Sequence, residues 1–283
     1  TAWACAPRSM PPKYMDVEVC RDGFRYTLHL SAAKMWAACK KNRTAERQTG
    51  TKITLEARYP GLYGYPISLW STIWITIKRQ AIVNDGIKFV FRNQVNGKFE
   101  TTEFVPKRHC RSCEGNGGED ALTSVQFWQT ERKVRDRADK PEYRTKINVA
   151  LAFSNRNKQV EYYHNSSWLE HGGAPDKAVR NAFVYQIDAY LKQTGKYNKN
   201  ESKITFADVE DCLVLVISSF SNQTSYENQT KKAITNKGIQ EAMTEMLRHQ
   251  LEIYFIENPM EADKIAAQVL INKRSREDAE KTA

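Results

Sequence analysis

Residues 211–221 read DCLVLVISSFS, and no other stretch limits the fold as strongly. The run is almost continuously apolar and rich in Val, Leu and Ile, so it reads as a strand covered on both faces. Such a strand needs one layer of structure above its sheet and another below. The segments around it supply candidates. KINVALAFSN (146–155) alternates Ile147, Val149, Leu151 and Phe153 on one face, which predicts a half-buried strand. QVEYYHNSSW (159–168) follows a polar turn and is expected to pair with it. PDKAVRNAFVYQIDAYLKQTG places Val179, Phe183, Ile187, Tyr190 and Leu191 on one helical stripe, with Gly195 as the stop. NKGIQEAMTEMLRHQLEIYFIEN repeats that pattern through Ile239, Met243, Met246, Leu247, Leu251 and Tyr254. Asn258-Pro259 then reads as an N-cap followed by a first-turn proline. The order strand–strand–helix–strand–helix predicts an α+β or α/β layer sandwich.

The final helix loses its apolar stripe after Ile271 and becomes purely charged. It reads as a helix on its way to another domain. The first hundred residues are less regular. YMDVEVCRDGFRYTLHL (14–30) predicts a hairpin turning at Asp22-Gly23, and QTGTKITLEA (48–57) a turn feeding a strand. SAAKMWAACKKNRTAER between them has no clear period.

The chain has 283 residues, enough for two domains, and 43 Lys+Arg against 33 Asp+Glu, a formal charge of +10. That balance suits work beside a polyanion and equally suits solubility. PISLWSTIWITI and CLVLVISSF fall far short of a membrane span. With no signal peptide and no initiating Met, the expectation is a soluble, cytoplasmic protein truncated at its start. Among six irregularly spaced cysteines, HCRSC (His109, Cys110, Cys113) resembles half of a zinc site, but no second half follows and no zinc is expected.

SYENQTKKAITNK (225–237) is polar and glycine-free, and lies between the buried strand and a long helix. It is either a solvated connection or a finger reaching outside its own domain.

Together, KYMDVEVCRDGFRYTLHL, QTGTKITL, KRQAIVNDGIKFVFRNQ, YYHNSSWLEHGGAPDKAVRNAFVYQIDAYLKQTGKY, FADVEDCLVLVISS and ENQTKKAITNKGIQEAM…ENPMEADKIA resemble, in order, the ATPase half of the DNA gyrase B family and its topoisomerase IV counterpart. The match runs through most of 13–30, 48–57, 78–104 and 117–283. The resemblance implies the C-terminal portion of a GHKL-type ATP-binding domain (1–103) and a transducer domain like domain 2 of ribosomal protein S5 (104–271). Residues 272–283 would begin a helix towards a toprim domain. In the family, the QTK loop enters the ATP site. Lys231 and Gln229 would then contact the γ-phosphate, where an ammonium suits the charge spread over its oxygens. Thr51 in the TGT turn would hydrogen-bond near adenine. Gly172-Gly173 match a family GGTH turn in which Ala174-Pro175 replace the last two residues, and no role beyond the turn is assigned to them. Lys273, Arg274 and Arg276 match basic transducer surfaces facing DNA, although Glu277, Asp278 and Glu280 beside them equally suit a solvated helix.

The resemblance further implies ATP with Mg2+ as cofactor. Its implied partners are double-stranded DNA, the gyrase A-type or topoisomerase IV A-type protein, and a second gyrase B protomer making a homodimer, with no membrane. The family's glutamate base, magnesium-binding asparagine and DxGxG turn would precede Thr1. On that expectation, this stretch alone should not hydrolyse ATP.

Four stretches match the family poorly. Read back into codons and shifted in frame, TAWACAP (1–7) can give the family's HGVG, with one glycine forced by Trp3-Ala4. AAKMWAAC (32–39), ISLWSTIW (67–74) and VPKRHCRSCEG (105–115) can likewise give family-like sequence. These windows are read as out-of-frame translation; Cys5, Cys39, Cys110 and Cys113 fall in them, and on that reading HCRSC would be an accident of frame. Two other readings stand beside that of a topoisomerase ATPase: a decayed, non-catalytic remnant, and a basic nucleic-acid-binding module.

Overall fold

In a computed structural model, the described residues are 14–31, 39–43, 49–56, 68–84, 86–95, 98–104 and 121–282. Windows 1–7 and 105–115, with His109, Cys110 and Cys113, lie outside them, as do most of 32–39 and Ile67. The chain divides into two units, Thr1–Trp70 and Ser71–Ala283.

The first unit contains β1 (Tyr14–Arg21), β2 (Phe24–Ser31), β3 (Lys40–Arg43) and β4 (Gly50–Glu56), ordered β3-β2-β1-β4 and antiparallel throughout. The expected hairpin is present. Asp22 and Gly23 have φ of 55° and 76°, and Arg21 pairs with Phe24, so the two-residue turn has both central residues left-handed. That geometry matches the twist of the flanking strands. β3 lies in the stretch for which no period was expected.

The boundary between the units falls within α1 (Ser68–Val83). In the second unit β5 (Phe89–Val95) and β6 (Lys98–Phe104) form a hairpin. The main sheet comprises β7 (Gln126–Val134), β8 (Tyr143–Phe153), β9 (Gln159–His164), β10 (Ser167–Trp168) and β12 (Leu213–Ser221), in the order β10-β9-β12-β8-β7. The short β11 (Gly172–Gly173) and β13 (Ala233–Ile234) pair in parallel apart from it.

The doubly covered strand is β12. Leu213 to Ser219 are all buried, and β12 runs antiparallel to β8 and parallel to β9. Here the expected partnership of 146–155 with 159–168 is corrected. β12 lies between them, because the strand with apolar side chains on both faces takes the sheet centre. The parallel β9–β12 pair is made possible by the crossover through α2 (Ala174–Gln193).

β8 is corrected too. Ile147, Val149, Leu151 and Phe153 do face the main core, but Ala150 and Ala152 on the opposite face are also buried. Ala150 joins Val214, Val216 and Tyr163 in a second small core closed by Val83 of α1. The main core is covered by α2, α4 (Lys237–Glu257) and α5 (Pro259–Thr282), through Val179, Phe183, Met243, Leu247, Ile265 and Val269.

Helix ends follow the residues placed there. Gly195 (φ 63°) closes α2 with paired reverse bonds, Gly195 N to Lys192 O at 3.2 Å and Lys196 N to Leu191 O at 3.0 Å. A one-turn α3 (Phe206–Glu210) is capped by Thr205 and Asp208, which bond reciprocally. Asn258 ends α4 and Pro259 begins α5. Among the described residues, no helix is long and apolar enough to cross a membrane.

Candidate functional site

The loop leaving β12 is a small hairpin with a closed stem. Thr235 N donates to Ser225 O at 2.8 Å, Glu227 N to Ala233 O at 3.0 Å, and Tyr226 bridges Ile234. Asn236 accepts from Ser225 N (2.8 Å) and donates to Asp136 (2.9 Å), whose other oxygen receives Gly238 N at the start of α4. Asp136 therefore ties β7, the loop stem and α4 together.

At the tip, the Asn228 side chain accepts from Thr230 N and Oγ1, and Lys231 N donates to Asn228 O at 3.2 Å. This tight turn gives Lys231 a φ of 57°, a left-handed conformation that costs a residue with a Cβ about 1 kcal/mol. Gln229 and Lys231 are both exposed on the tip.

The two adjacent lysines differ. Lys232 is paired with Glu170, whose carboxyl is held below its usual range chiefly by that bond. Among the described residues Lys231 has no carboxylate partner. Its Nζ lies 5.5 Å from the Tyr226 ring centroid, a cation–π contact. The tip thus offers one cation that, among the described residues, has no carboxylate partner, on a closed stem.

Gly172 and Gly173 have more than a turn to make, with no sign of it in the residues around them. They seat the loop: β11 pairs with β13, and His171 N donates to Lys232 O at 3.0 Å. A Cβ at Gly173 (φ 77°) would lie 2.3 Å from Ile234 O. Only glycine permits so close an approach.

The stem is anchored on its other side by His164. Its Nδ1 lies 2.8 Å from Ser219 Oγ and its Nε2 2.8 Å from Thr224 Oγ1, and Tyr226 meets the ring edge-on. Burial among neutral groups pushes the imidazole down to about 4, so it is uncharged at neutral pH.

Thr51 is exposed on β4, opposite Val19 in the register, and belongs to the first unit. Lys273, Arg274 and Arg276 lie together on α5, and all three are committed to carboxylates. Lys273 is fully buried, with Nζ 3.2 Å from Glu201 and 2.9 Å from Glu277. Arg274 holds Glu201 through two bonds of 3.0 Å, and Arg276 holds Asp208 at 2.7 and 3.2 Å. The Glu201 carboxyl is lowered to about 2, first by Arg274 and further by Asn198 N and Lys273. Glu201 and Asp208, which the sequence did not mark as partners, tie this helix to the rest of its unit, while Glu277 and Glu280 pair along the helix with Lys273 and Arg276. Among the described residues, no group of three or more His, Cys, Asp or Glu could hold a metal ion.

A sequence model of the DNA gyrase B family matches residues 115–283. The DNA gyrase B protein of Mycoplasmoides gallisepticum is 25% identical over 208 residues, covering 72% of this chain and 32% of that protein. The Spiroplasma citri gyrase B protein is 23% identical over 275 residues, covering 93% and 41%. The chain therefore spans well under half the length of these relatives. Among solved structures, the 43K ATPase domain of Thermus thermophilus gyrase B, in complex with an aminocoumarin, superposes with a TM-score of 0.60 at 20% identity, over 96% of this chain and 71% of that one. The topoisomerase IV ATP-binding domain of Francisella tularensis, in complex with a small-molecule inhibitor, gives 0.65 at 18% identity, over 94% and 70%. At such identities the likeness is one of fold.

Proposed function

Since the chain belongs to the DNA gyrase B family, we propose that it is part of the ATP-hydrolysing component of a type IIA DNA topoisomerase, with Lys231 as the residue that contacts the γ-phosphate of ATP. The observation that carries the reading is the contrast at the loop tip: Lys232 is paired with Glu170, whereas Lys231, with no carboxylate partner among the described residues, projects its ammonium from a closed stem. A compact cation held this way stabilises charge on the equatorial oxygens of a transferring phosphoryl group. Gln229, two residues away on the same tip, supplies an amide to the same phosphate. Since ADP lacks this phosphate, hydrolysis removes the contact and leaves the loop free to move.

On this reading residues 1–103 contribute to the ATP-binding domain, with Thr51 on the adenine side. Residues 104–271 are the transducer, and 272–283 belong to the linking helix. Double-stranded DNA, an A-type protein and a second gyrase B protomer are the partners, in the cytoplasm. Arg274 and Arg276 keep partly exposed guanidinium groups that DNA phosphates could recruit. Lys273 is left out of that role, because it has no exposed surface. The described residues do not make a Mg2+ site.

The test is nucleotide-dependent protection of Lys231 from an amine-labelling reagent, in a protein that carries the family's upstream ATP-site residues ahead of this chain. A non-hydrolysable ATP analogue with Mg2+ should slow labelling of Lys231 at least about tenfold relative to ADP, a difference of one charge-assisted contact. Lys232 should be unaffected. Equal labelling with both nucleotides would overturn the assignment.

A further inference from the structure

We propose that His164 and the Asn165–Ser166 turn are positioning residues for the Lys231 loop, fastening its root to the sheet and to helix α1 through a chain of hydrogen bonds that runs in one direction. The functional meaning rests on Lys231 as the phosphate contact; the fastening itself does not.

The direction follows from which groups have hydrogens to give. Ser219 Oγ donates to Tyr163 O at 3.2 Å, so towards His164 it can only accept, and Nδ1 must carry the ring proton. Nε2 is then an acceptor. Ser221 Oγ, 3.4 Å away, has its hydrogen committed to Gln223 O at 2.6 Å, so the donor to Nε2 is Thr224. Thr224 in turn accepts from Asn165 Nδ2 at 3.1 Å. The resulting order is Asn165 to Thr224, Thr224 to His164, His164 to Ser219, and Ser219 to the Tyr163 carbonyl. Every member is satisfied once the imidazole is neutral.

Asn165 adds a second grip. Its side chain exchanges bonds with Ser221, Nδ2 to Ser221 O at 2.9 Å and Ser221 N to Oδ1 at 3.0 Å, where β12 gives way to the loop. Asn165 and Ser166 have φ of 46° and 63°, a left-handed two-residue turn between β9 and β10.

The far side of this turn is held by α1. Gln80 Nε2 donates to Ser166 O at 2.8 Å, and Ser166 Oγ donates to Asn84 Oδ1 at 2.8 Å. The Arg79 guanidinium stacks 3.7 Å from the centroid of the Trp168 ring just beyond. One turn therefore touches the KRQ helix on one side and the root of the lysine loop on the other. Displacement of α1 pulls on the Asn165–Thr224–His164 chain, and Tyr226, between His164 and Lys231, is the ring through which that movement reaches the ammonium.

Thr224→Val tests this, because it is isosteric, removes the donor to Nε2 and touches neither Lys231 nor the main core. Trypsin cleavage after Lys231 and Lys232 in the full chain reports opening of the loop. The Val variant should be cut there roughly 5- to 10-fold faster, the effect of one lost hydrogen bond. Cleavage elsewhere should not change, the thermal midpoint should fall by no more than about 4 °C, and Thr224→Ser should restore the wild-type rate. Imidazole 15N spectra of the wild type should show the Nδ1–H tautomer. Unchanged cleavage at the loop, equal acceleration at every site, or an Nε2–H tautomer would each overturn the proposal. The two readings fail separately. Faster loop cleavage in Thr224→Val without nucleotide protection of Lys231 in the wild type keeps the fastening and sinks the phosphate contact. Nucleotide protection with unaltered loop cleavage does the reverse.

Discussion

Lys231 combines a charge that has no carboxylate partner among the described residues with a left-handed backbone, and one substitution separates the two. Lys231→Gly removes the ammonium while relieving the backbone, so the variant should be up to about 1 kcal/mol more stable in a denaturant titration, yet its loop should be cut by trypsin after Lys232 equally fast with the ATP analogue and with ADP. Gly173→Ala acts the other way. Its new methyl would meet Ile234 O at 2.3 Å in a left-handed conformation, and a loss of roughly 2–4 kcal/mol is expected by the same titration. His164 carries a pH dependence whose sign is fixed. Its folded value of about 4 lies below the unfolded value near 6.5, so between these limits the unfolded chain binds more protons. The groups against its ring are the hydroxyls of Ser219, Ser221 and Thr224 and the Tyr226 ring, none of them a carboxylate. Stability should therefore be level above pH 6.5 and fall as pH drops towards 4, and His164→Phe should flatten that part of the profile. Sequence placed Gln229 and Lys231 on the loop through family resemblance, but not His164. Its hydrogen-bond partners are 55 and 60 residues away, beyond the reach of any local pattern.

At the scale of elements, local pattern was informative where one face decides. The Asp22-Gly23 hairpin and the stripes of α2 and α4 follow from spacing alone, because turn chemistry and helical period are properties of neighbouring residues. Which strand pairs with which is not local. β9 was assigned to β8 by adjacency, whereas the apolar demands of β12 put it between them. Ala150 and Ala152 carry too little side chain to mark the second face of β8 as covered. The charged end of α5 reads as solvated only while Glu201, 72 residues from Lys273, is out of view. This cluster makes its own prediction. Glu201→Ala leaves the Lys273 ammonium buried with one partner fewer and strips Arg274 of its carboxylate. A loss of about 3 kcal/mol should appear in thermal or denaturant unfolding. Lys273→Met should cost less, since it replaces a buried charge by apolar volume.

For the whole molecule, the two units contain separate sheets, and the main core is built from Val134 and residues after it, with only Leu122 and Trp128 packing on it from earlier among the described residues. A chain beginning at Ser68 should therefore keep a cooperative unfolding transition with a midpoint within about 4 °C of the full chain, as calorimetry would measure.

The ion pairs of α5 also set how far that helix stays stiff. Beyond Leu270 nothing apolar and fully covered holds it, and its attachment passes to charges of two kinds. Lys273 and the Arg276–Asp208 pair sit where mobile ions hardly enter, whereas Glu280 and the Lys281–Asp278 pair stand in solvent. Added electrolyte should loosen the helix from Thr282 inward and halt at Arg276, where the buried Asp208 holds it. The helix then behaves as a rod whose rigid length is read from the ionic strength around it, short in concentrated salt and long in dilute.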